Sequence, residues 1–167
     1  MNHPALGIVG LHPWEIPWYE DAQSPRTARV KQLLQTKLQH LLETEHISKA
    51  CLLMDAGPIL DAAQYLLAQK ARMPLTLECL IPFEAQHANW KEAQREQYFS
   101  ILQHCDKEIL LQAHFSVNCY KLALQKLLSS CQILLVIWNG AHSDAEDAIR
   151  AAEKAGLPLV ILNIAKI

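Results

Sequence analysis

Residues 133–138 read Ile-Leu-Leu-Val-Ile-Trp, and residues 159–164 read Leu-Val-Ile-Leu-Asn-Ile. Runs this short and almost wholly apolar are typical of strands that helices cover on both faces. Between them, Ser143-Asp-Ala-Glu is a capping-box pattern that predicts the start of a helix. Gly156 and Pro158 then predict its end, because glycine favours the C-cap and proline cannot continue a helix.

The same alternation extends outward to the start of the chain. Four further apolar runs, at 5–9, 50–54, 75–81 and 108–111, predict strands. The helical patterns between them begin near Pro25, Pro58 and Trp90, and a fourth carries Val117 on its apolar side. Six strands alternating with five helices predict one α/β domain over residues 1–167: three-layer, doubly wound and Rossmann-like, with a mostly parallel sheet. Ligands bind such sheets at the C-terminal ends of the strands.

Composition narrows the function classes. The net charge is −2 and basic residues are scattered, which predicts neither nucleic acid nor an anionic membrane as a partner. No apolar run approaches the roughly 18–20 residues of a membrane span, and the N-terminus does not resemble a signal peptide. Five dispersed cysteines indicate a reducing compartment, hence the cytoplasm, and predict no metal site. No cofactor is predicted.

The loop after the first strand contains Gly10 and His12, followed by Trp14, Trp18 and Tyr19. This stiff, aromatic segment is either one wall of a pocket for a flat ring or a lid packed on the sheet. Accordingly, His12 either contacts a ligand or satisfies the backbone of its own loop. Two interpretations are also open for Trp90: its side chain either stacks on a ligand or packs between helix and sheet.

The loops after the second and fifth strands are poor phosphate sites. A phosphate cradle needs several free backbone N–H groups, but Gly57 is followed by Pro58, which has none, and Asp55 adds negative charge. The later turn, residues 139–143, leads into a helix whose first turn already contains three acids. These acids stabilise the helix and repel phosphate. The alternative is that one of them orients a ribose hydroxyl or acts as a nucleophile.

Several blocks of the chain carry a family resemblance. They are residues 81–83 (Ile-Pro-Phe), 89–92 (Asn-Trp-Lys-Glu), 96–98 (Glu-Gln-Tyr) and 130–140. Together they resemble the YpsA-type branch of the SLOG superfamily over nearly the whole chain. The opening residues 8–13 are similar to a drifted form of that branch's first strand and threonine-glycine-histidine turn.

The resemblance implies a Rossmann-like domain that binds nucleotides or nucleotide-derived signals, with a few relatives acting as nucleotide-processing enzymes. This chain departs from the pattern in its phosphate loops. Only Asp61 and a displaced Gly57 match the family's glycine-rich turn after the second strand. The family's arginine-asparagine pair is replaced by Ala123-Leu124, and its glycine-glycine-threonine by residues 142–144.

Three functions follow as alternatives. The first is binding of a nucleotide- or nucleoside-related small molecule, despite degenerate phosphate loops. The second is a non-catalytic scaffold that has lost its ligand and works through a protein partner, for instance as a homodimer. The third is hydrolysis or transfer at an N-glycosidic bond by Asp147 or Glu146, as in the architecturally similar nucleoside deoxyribosyltransferases. The predicted ligand-binding residues are Gly10, His12, Asp55, Gly57, Asp61, Trp90, Asn139, Gly140, His142 and Ser143.

Overall fold

A computed structural model describes residues 3–167. Its strands are β1 (Ala5–Val9), β2 (Lys49–Leu53), β3 (Thr76–Ile81), β4 (Lys107–Leu110), β5 (Ile133–Trp138) and β6 (Leu159–Asn163). Its helices are α1 (Pro25–Thr44), α2 (Pro58–Gln69), α3 (Glu92–His104), α4 (Cys119–Ser130) and α5 (Asp144–Lys154). Every strand predicted from the sequence is present, with its ends at or within one residue of the expected positions. The predicted α/β fold is confirmed.

The six strands form one sheet in the order β4-β3-β2-β1-β5-β6, and every neighbouring pair is parallel. The chain steps outward from β1 to β4, then crosses back through α4 to pair β5 with the other side of β1. Right-handed crossovers in opposite directions put α1, α2 and α3 on one face, and α4 and α5 on the other. The helix contacts agree, because α2 packs on both α1 and α3, whereas α4 packs on α5. The sheet is therefore doubly wound.

Strands β1 and β5 mark the point where the winding reverses. The loop after β1 leads to the face of α1, and the loop after β5 leads to the face of α5. Neighbouring loops that leave a sheet in opposite directions open a crevice between them. The fold thus places the predicted ligand crevice above β1 and its two neighbours, β2 and β5.

The core explains why the central strands are so apolar. Every residue of β1 is buried, and so is every residue of β5 except the last, because helices cover both faces of the sheet. At Gly7 the layers approach so closely that a Cβ atom would lie 2.7 Å from the sulfur of Cys131. The inward side of α1 is buried against the sheet at Val30, Leu34 and Leu38.

One helical position was predicted wrongly. Val117 does not lie on the apolar side of α4, since that helix begins at Cys119 and Val117 is 90% exposed in the preceding loop. Cys119 takes the buried place instead. Among residues 3–167, no helix combines the length and the apolar character that crossing a membrane requires.

Candidate functional site

A cleft of about 510 Å³ lies above the C-terminal ends of β1 and β2, between α4 and α5. Its floor is apolar and comes from the strands, at Val9 and Leu53, and from the inward side of α4, at Leu124 and Leu128. Polar side chains line the rest: Lys121 and Gln125 from α4, Asp147 from α5, and Asn118 from the residue before α4. Its size and its mixture of apolar floor and few polar groups are typical of small-molecule sites.

His12 stands at the inner end of this cleft, between two carboxylates. Its Nδ1 lies 2.6 Å from Oδ2 of Asp55, which follows β2. Its Nε2 lies 2.6 Å from Oδ2 of Asp144, the first residue of α5. The ring therefore joins the three loops that meet where the winding of the sheet reverses.

The loop after β1 is folded so that the ring of His12 is held in place. A short 3-10 helix, Pro13–Glu15, follows His12, and the Glu15 carboxylate accepts a hydrogen bond from the His12 backbone N–H at 2.8 Å. Trp14 stacks on the imidazole with 4.3 Å between ring centroids, and Tyr120 of α4 packs edge-on at 4.5 Å. His12 is consequently only 7% exposed.

The carboxylates make His12 a cation at neutral pH. Burial alone would lower its pKa, but the hydrogen bond and charge of Asp55, together with Asp144, raise the pKa to about 9. Burial raises the pKa of Asp55, and the imidazolium at 2.6 Å counteracts that rise. His12 is therefore an imidazolium whose two nitrogens each face a carboxyl group.

Comparison with known proteins identifies the scaffold. A family model, designated YpsA and described as the YspA SLOG family, matches residues 6–163. The chain belongs to the YspA SLOG family. The resemblance predicted from the sequence is thereby confirmed.

Two similar relatives of this SLOG chain are UPF0398 proteins of Bacillus cereus, from strains B4264 and G9842. Each is 26% identical over 164 residues, covering 96% of this chain and 82% of the relative. A solved structure, DNA processing protein A (DprA) from Streptococcus pneumoniae, is also similar, with a TM-score of 0.48 and 13% identity. The match covers 94% of this chain but only 58% of DprA.

Of the residues predicted to bind a ligand in this SLOG domain, Gly10, His12 and Asp55 lie at the cleft. The ring of His12 does not satisfy the backbone of its own loop, because both nitrogens contact carboxylates. Gly57 is buried, and a Cβ there would lie 3.9 Å from the carbonyl oxygen of Leu11. The turn after β2 is thus covered by the loop after β1.

Two predicted residues lie on the opposite face of the sheet from the cleft, among α1, α2 and α3. Asp61 accepts hydrogen bonds from the hydroxyl of Tyr19 and, at 2.9 Å, from Nε2 of Gln97. Trp90 packs edge-on against Tyr98 at 5.1 Å and is half-buried. Both residues tie the loop and helices of that layer together, and neither lines the cleft.

The four predicted residues after β5 build the turn that leads into α5. Asn139 accepts a hydrogen bond from the backbone of Ala141, and Gly140 adopts a φ of +84° that favours glycine. Ser143 caps α5 by accepting from the N–H of Glu146. His142 is exposed and contacts the Glu146 carboxylate at 3.3 Å. None of the four lines the cleft.

The two acids predicted as catalytic differ in their surroundings. The Glu146 carboxylate binds Arg150 at 2.6 Å, and that hydrogen bond lowers the pKa of Glu146. Of the predicted capping box, only the hydrogen bond from the Glu146 backbone N–H to the Ser143 side chain is therefore formed. Asp147 lines the cleft and takes part in no ion pair among residues 3–167.

Sequence reasoning missed the contribution of Asp144 and of α4 to the site. Asp144 was recognised only as a first-turn acid, yet it contacts His12 across the sheet. Tyr120, Lys121 and Leu124 reach the cleft from α4, whose crossover carries it back over β1 and β2. Within the described part of the chain, no cluster of three side chains is placed to hold a metal ion.

Proposed function

We propose that this SLOG domain binds a nucleotide- or nucleoside-related small molecule in the cleft between α4 and α5. The observation that supports this most is the position of the cleft at the reversal of the sheet, where doubly wound domains bind their ligands. Membership of the family makes a nucleotide-derived ligand the first class to consider.

The lining favours the nucleoside part of such a ligand. The aliphatic floor of Val9, Leu53, Leu124 and Leu128 suits one face of a planar base, and the edge of Tyr120 closes the inner end. A buried ring gains about 25 cal/mol for each Å² of apolar surface removed from water. The base would thus supply most of the affinity.

The polar rim suits hydroxyl groups. Asp147, on the wall formed by α5, offers carboxylate oxygens that accept hydrogen bonds from a ribose diol. Asn118 and Gln125, on the opposite wall, offer both donors and acceptors. A sugar lying between the two helices would therefore find partners on both sides.

Thermal-shift and calorimetric titration with a panel of nucleosides, nucleotides and ADP-ribose derivatives tests this function. Leu124→Trp should fill the cleft and abolish any binding found. Leu122→Trp is the matched control, because Leu122 belongs to the same helix but is 44% exposed and outside the cleft. A flat response of the unmodified chain to the whole panel would refute the proposal and favour the scaffold with a protein partner.

A second candidate, cleavage of an N-glycosidic bond, is favoured by one observation. Asp147 presents a carboxylate to the cleft without an ion pair among the described residues, as a nucleophile or general base requires. Glu146 is less suited because Arg150 holds its carboxylate. Release of free base from nucleosides, measured by chromatography, should disappear in Asp147→Asn and persist in Glu146→Gln.

The cytoplasmic location of the protein and its self-association as a homodimer stay predictions.

A further inference from the structure

The charges around the cleft are unusual for a site that would receive a phosphate. The cleft is lined by three carboxylates, Asp55, Asp144 and Asp147, and by two cations, His12 and Lys121. The imidazolium of His12 is the cation nearest the inner end, and both of its nitrogens are already occupied by carboxylates. No donor of this ring is left for a ligand.

We propose that the Asp144 carboxylate, held on His12, excludes phosphate-bearing ligands from the cleft, and that His12 without it becomes an oxyanion site. Asp144 is thus a specificity-determining residue that selects nucleosides over nucleotides. This inference rests on the proposed function only in taking the cleft as the place where a ligand binds.

The geometry separates the two carboxylates by role. Asp55 is buried, with its side chain 10% exposed, and it also accepts a hydrogen bond from the N–H of Ala56 at 2.8 Å. The Asp144 side chain is 60% exposed and closes the outer side of the ring. Asp55 therefore anchors the imidazolium from behind, whereas Asp144 covers the nitrogen that would otherwise be available to a ligand.

The ring should keep its place when Asp144 is neutralised. Asp55, the stacked Trp14 and the edge of Tyr120 all remain, and none of them belongs to α5. The other charged group near the ring, Glu15, has a carboxylate engaged with the His12 backbone N–H. An oxyanion would then displace the neutral side chain at position 144 and accept the hydrogen bond from Nε2–H, because a hydrogen bond between two charged groups is the stronger one.

Lys121 adds to the preference for an anion in such a variant. It lines the same cleft from α4. Replacing a carboxylate with a neutral side chain removes the like-charge repulsion that a phosphate meets, and charged hydrogen bonds are the strong ones. We expect the affinity for phosphate to rise at least about tenfold in Asp144→Asn.

The test is calorimetric titration of inorganic phosphate into the unmodified chain, Asp144→Asn and Asp147→Asn at roughly neutral pH, where His12 is charged. Asp147→Asn is the matched control because it removes the same charge from the same helix and the same cleft, and leaves the carboxylate on His12 Nε2 in place. Its affinity for phosphate should rise by less than about threefold. His12→Gln added to Asp144→Asn should abolish the gain.

Nitrogen NMR of the His12 ring supplies a second measurement. In Asp144→Asn, phosphate should shift the Nε2 resonance more than the Nδ1 resonance, which Asp55 continues to hold. Should Asp144→Asn fail to fold, Asp144→Ser removes the same charge with a smaller side chain, and Ser143 still caps α5. No gain in phosphate affinity in the folded variant, or an equal gain in Asp147→Asn, overturns the inference.

The outcome is separable from that of the proposed function. Titration of the unmodified chain with adenosine and adenosine monophosphate tests the proposed function separately from the role of Asp144. If the unmodified chain binds nucleosides but Asp144→Asn gains no phosphate affinity, only the role of Asp144 is refuted. If no nucleoside binds and Asp144→Asn still gains phosphate affinity through His12, the exclusion of phosphate by Asp144 stands, and the proposed ligand class falls together with the selection of nucleosides.

Discussion

Titration of His12 should make the stability of this protein fall between about pH 7 and pH 8.5. The carboxylates of Asp55 and Asp144 raise the pKa of His12 from its ordinary 6.5 to about 9 in the folded chain, against the opposing effect of burial. A histidine whose folded pKa is raised adds stability that is complete below the ordinary pKa. That stability is lost as the pH rises through the folded pKa.

The magnitude follows from the two pKa values. A rise from 6.5 to about 9 corresponds to about 3 kcal/mol of unfolding free energy at low pH. Between about pH 7 and pH 8.5 the loss is about 2 kcal/mol, or slightly over 1 kcal/mol per pH unit. The buried thiols of Cys51 and Cys131 contribute only near the top of this window, because burial raises their pKa to about 11 and the stability linked to them is lost as the pH rises above the ordinary thiol pKa of about 8.5.

Urea unfolding followed by circular dichroism across this range measures the effect. His12→Gln leaves Asp55 without its cation, and because burial raises the pKa of that carboxyl, this single variant keeps a pH dependence of its own. The double variant His12→Gln with Asp55→Asn removes both titrating groups, and it should be less stable at the lower pH and nearly independent of pH. His40→Gln is the control: His40 is exposed on α1, and that variant should keep the slope of the unmodified chain. Parallel pH profiles for the unmodified chain and the double variant would refute the reasoning.

Three further changes test other parts of the structure by the same urea assay. Asp61→Asn should lower the unfolding free energy by about 1–3 kcal/mol, because Asp61 accepts from buried Tyr19, while leaving ligand titrations unchanged. Gly7→Ala should cost about 1–3 kcal/mol through overpacking on Cys131, and adding Cys131→Ala should recover part of that loss if the contact is the cause. Ser143→Ala should cost about 1 kcal/mol by removing the cap of α5; an unchanged midpoint would show that the cap contributes nothing.

The strands were predictable because burial leaves a strong mark on sequence. Each central strand of a parallel sheet is covered on both faces, so residues 133–138 and 5–9 are apolar without alternation. Helix ends were predictable where a cap or a glycine marks them, as at Ser143 and Gly156, whose φ is +69°. The start of α4 has no such mark, and Val117 was placed on the helix although it precedes it.

The contact between His12, Asp55 and Asp144 was not predictable in the same way. Each residue follows the end of a strand, which the sequence indicates, but they meet only because β1 lies between β2 and β5. The order of strands depends on where the chain reverses its winding, and local hydrophobic patterns contain no information about that. With the order known, three adjacent loops bearing a histidine and two acids would have pointed to this cluster.

The two corners that the sequence marks as poor phosphate sites are closed in different ways, and this difference decides which of them a substitution can reopen. The corner at Gly57 is buried beneath the backbone of Leu11, so removing one side chain would not expose it to a ligand. The corner at α5 is covered by one exposed carboxylate, Asp144, resting on a cation that Asp55 keeps in position. Anion binding at the first corner would require the loop after β1 to move, whereas at the second it requires the loss of one charge. Phosphate affinity gained by substitution in this domain should therefore depend on His12 and leave the backbone around Gly57 unchanged.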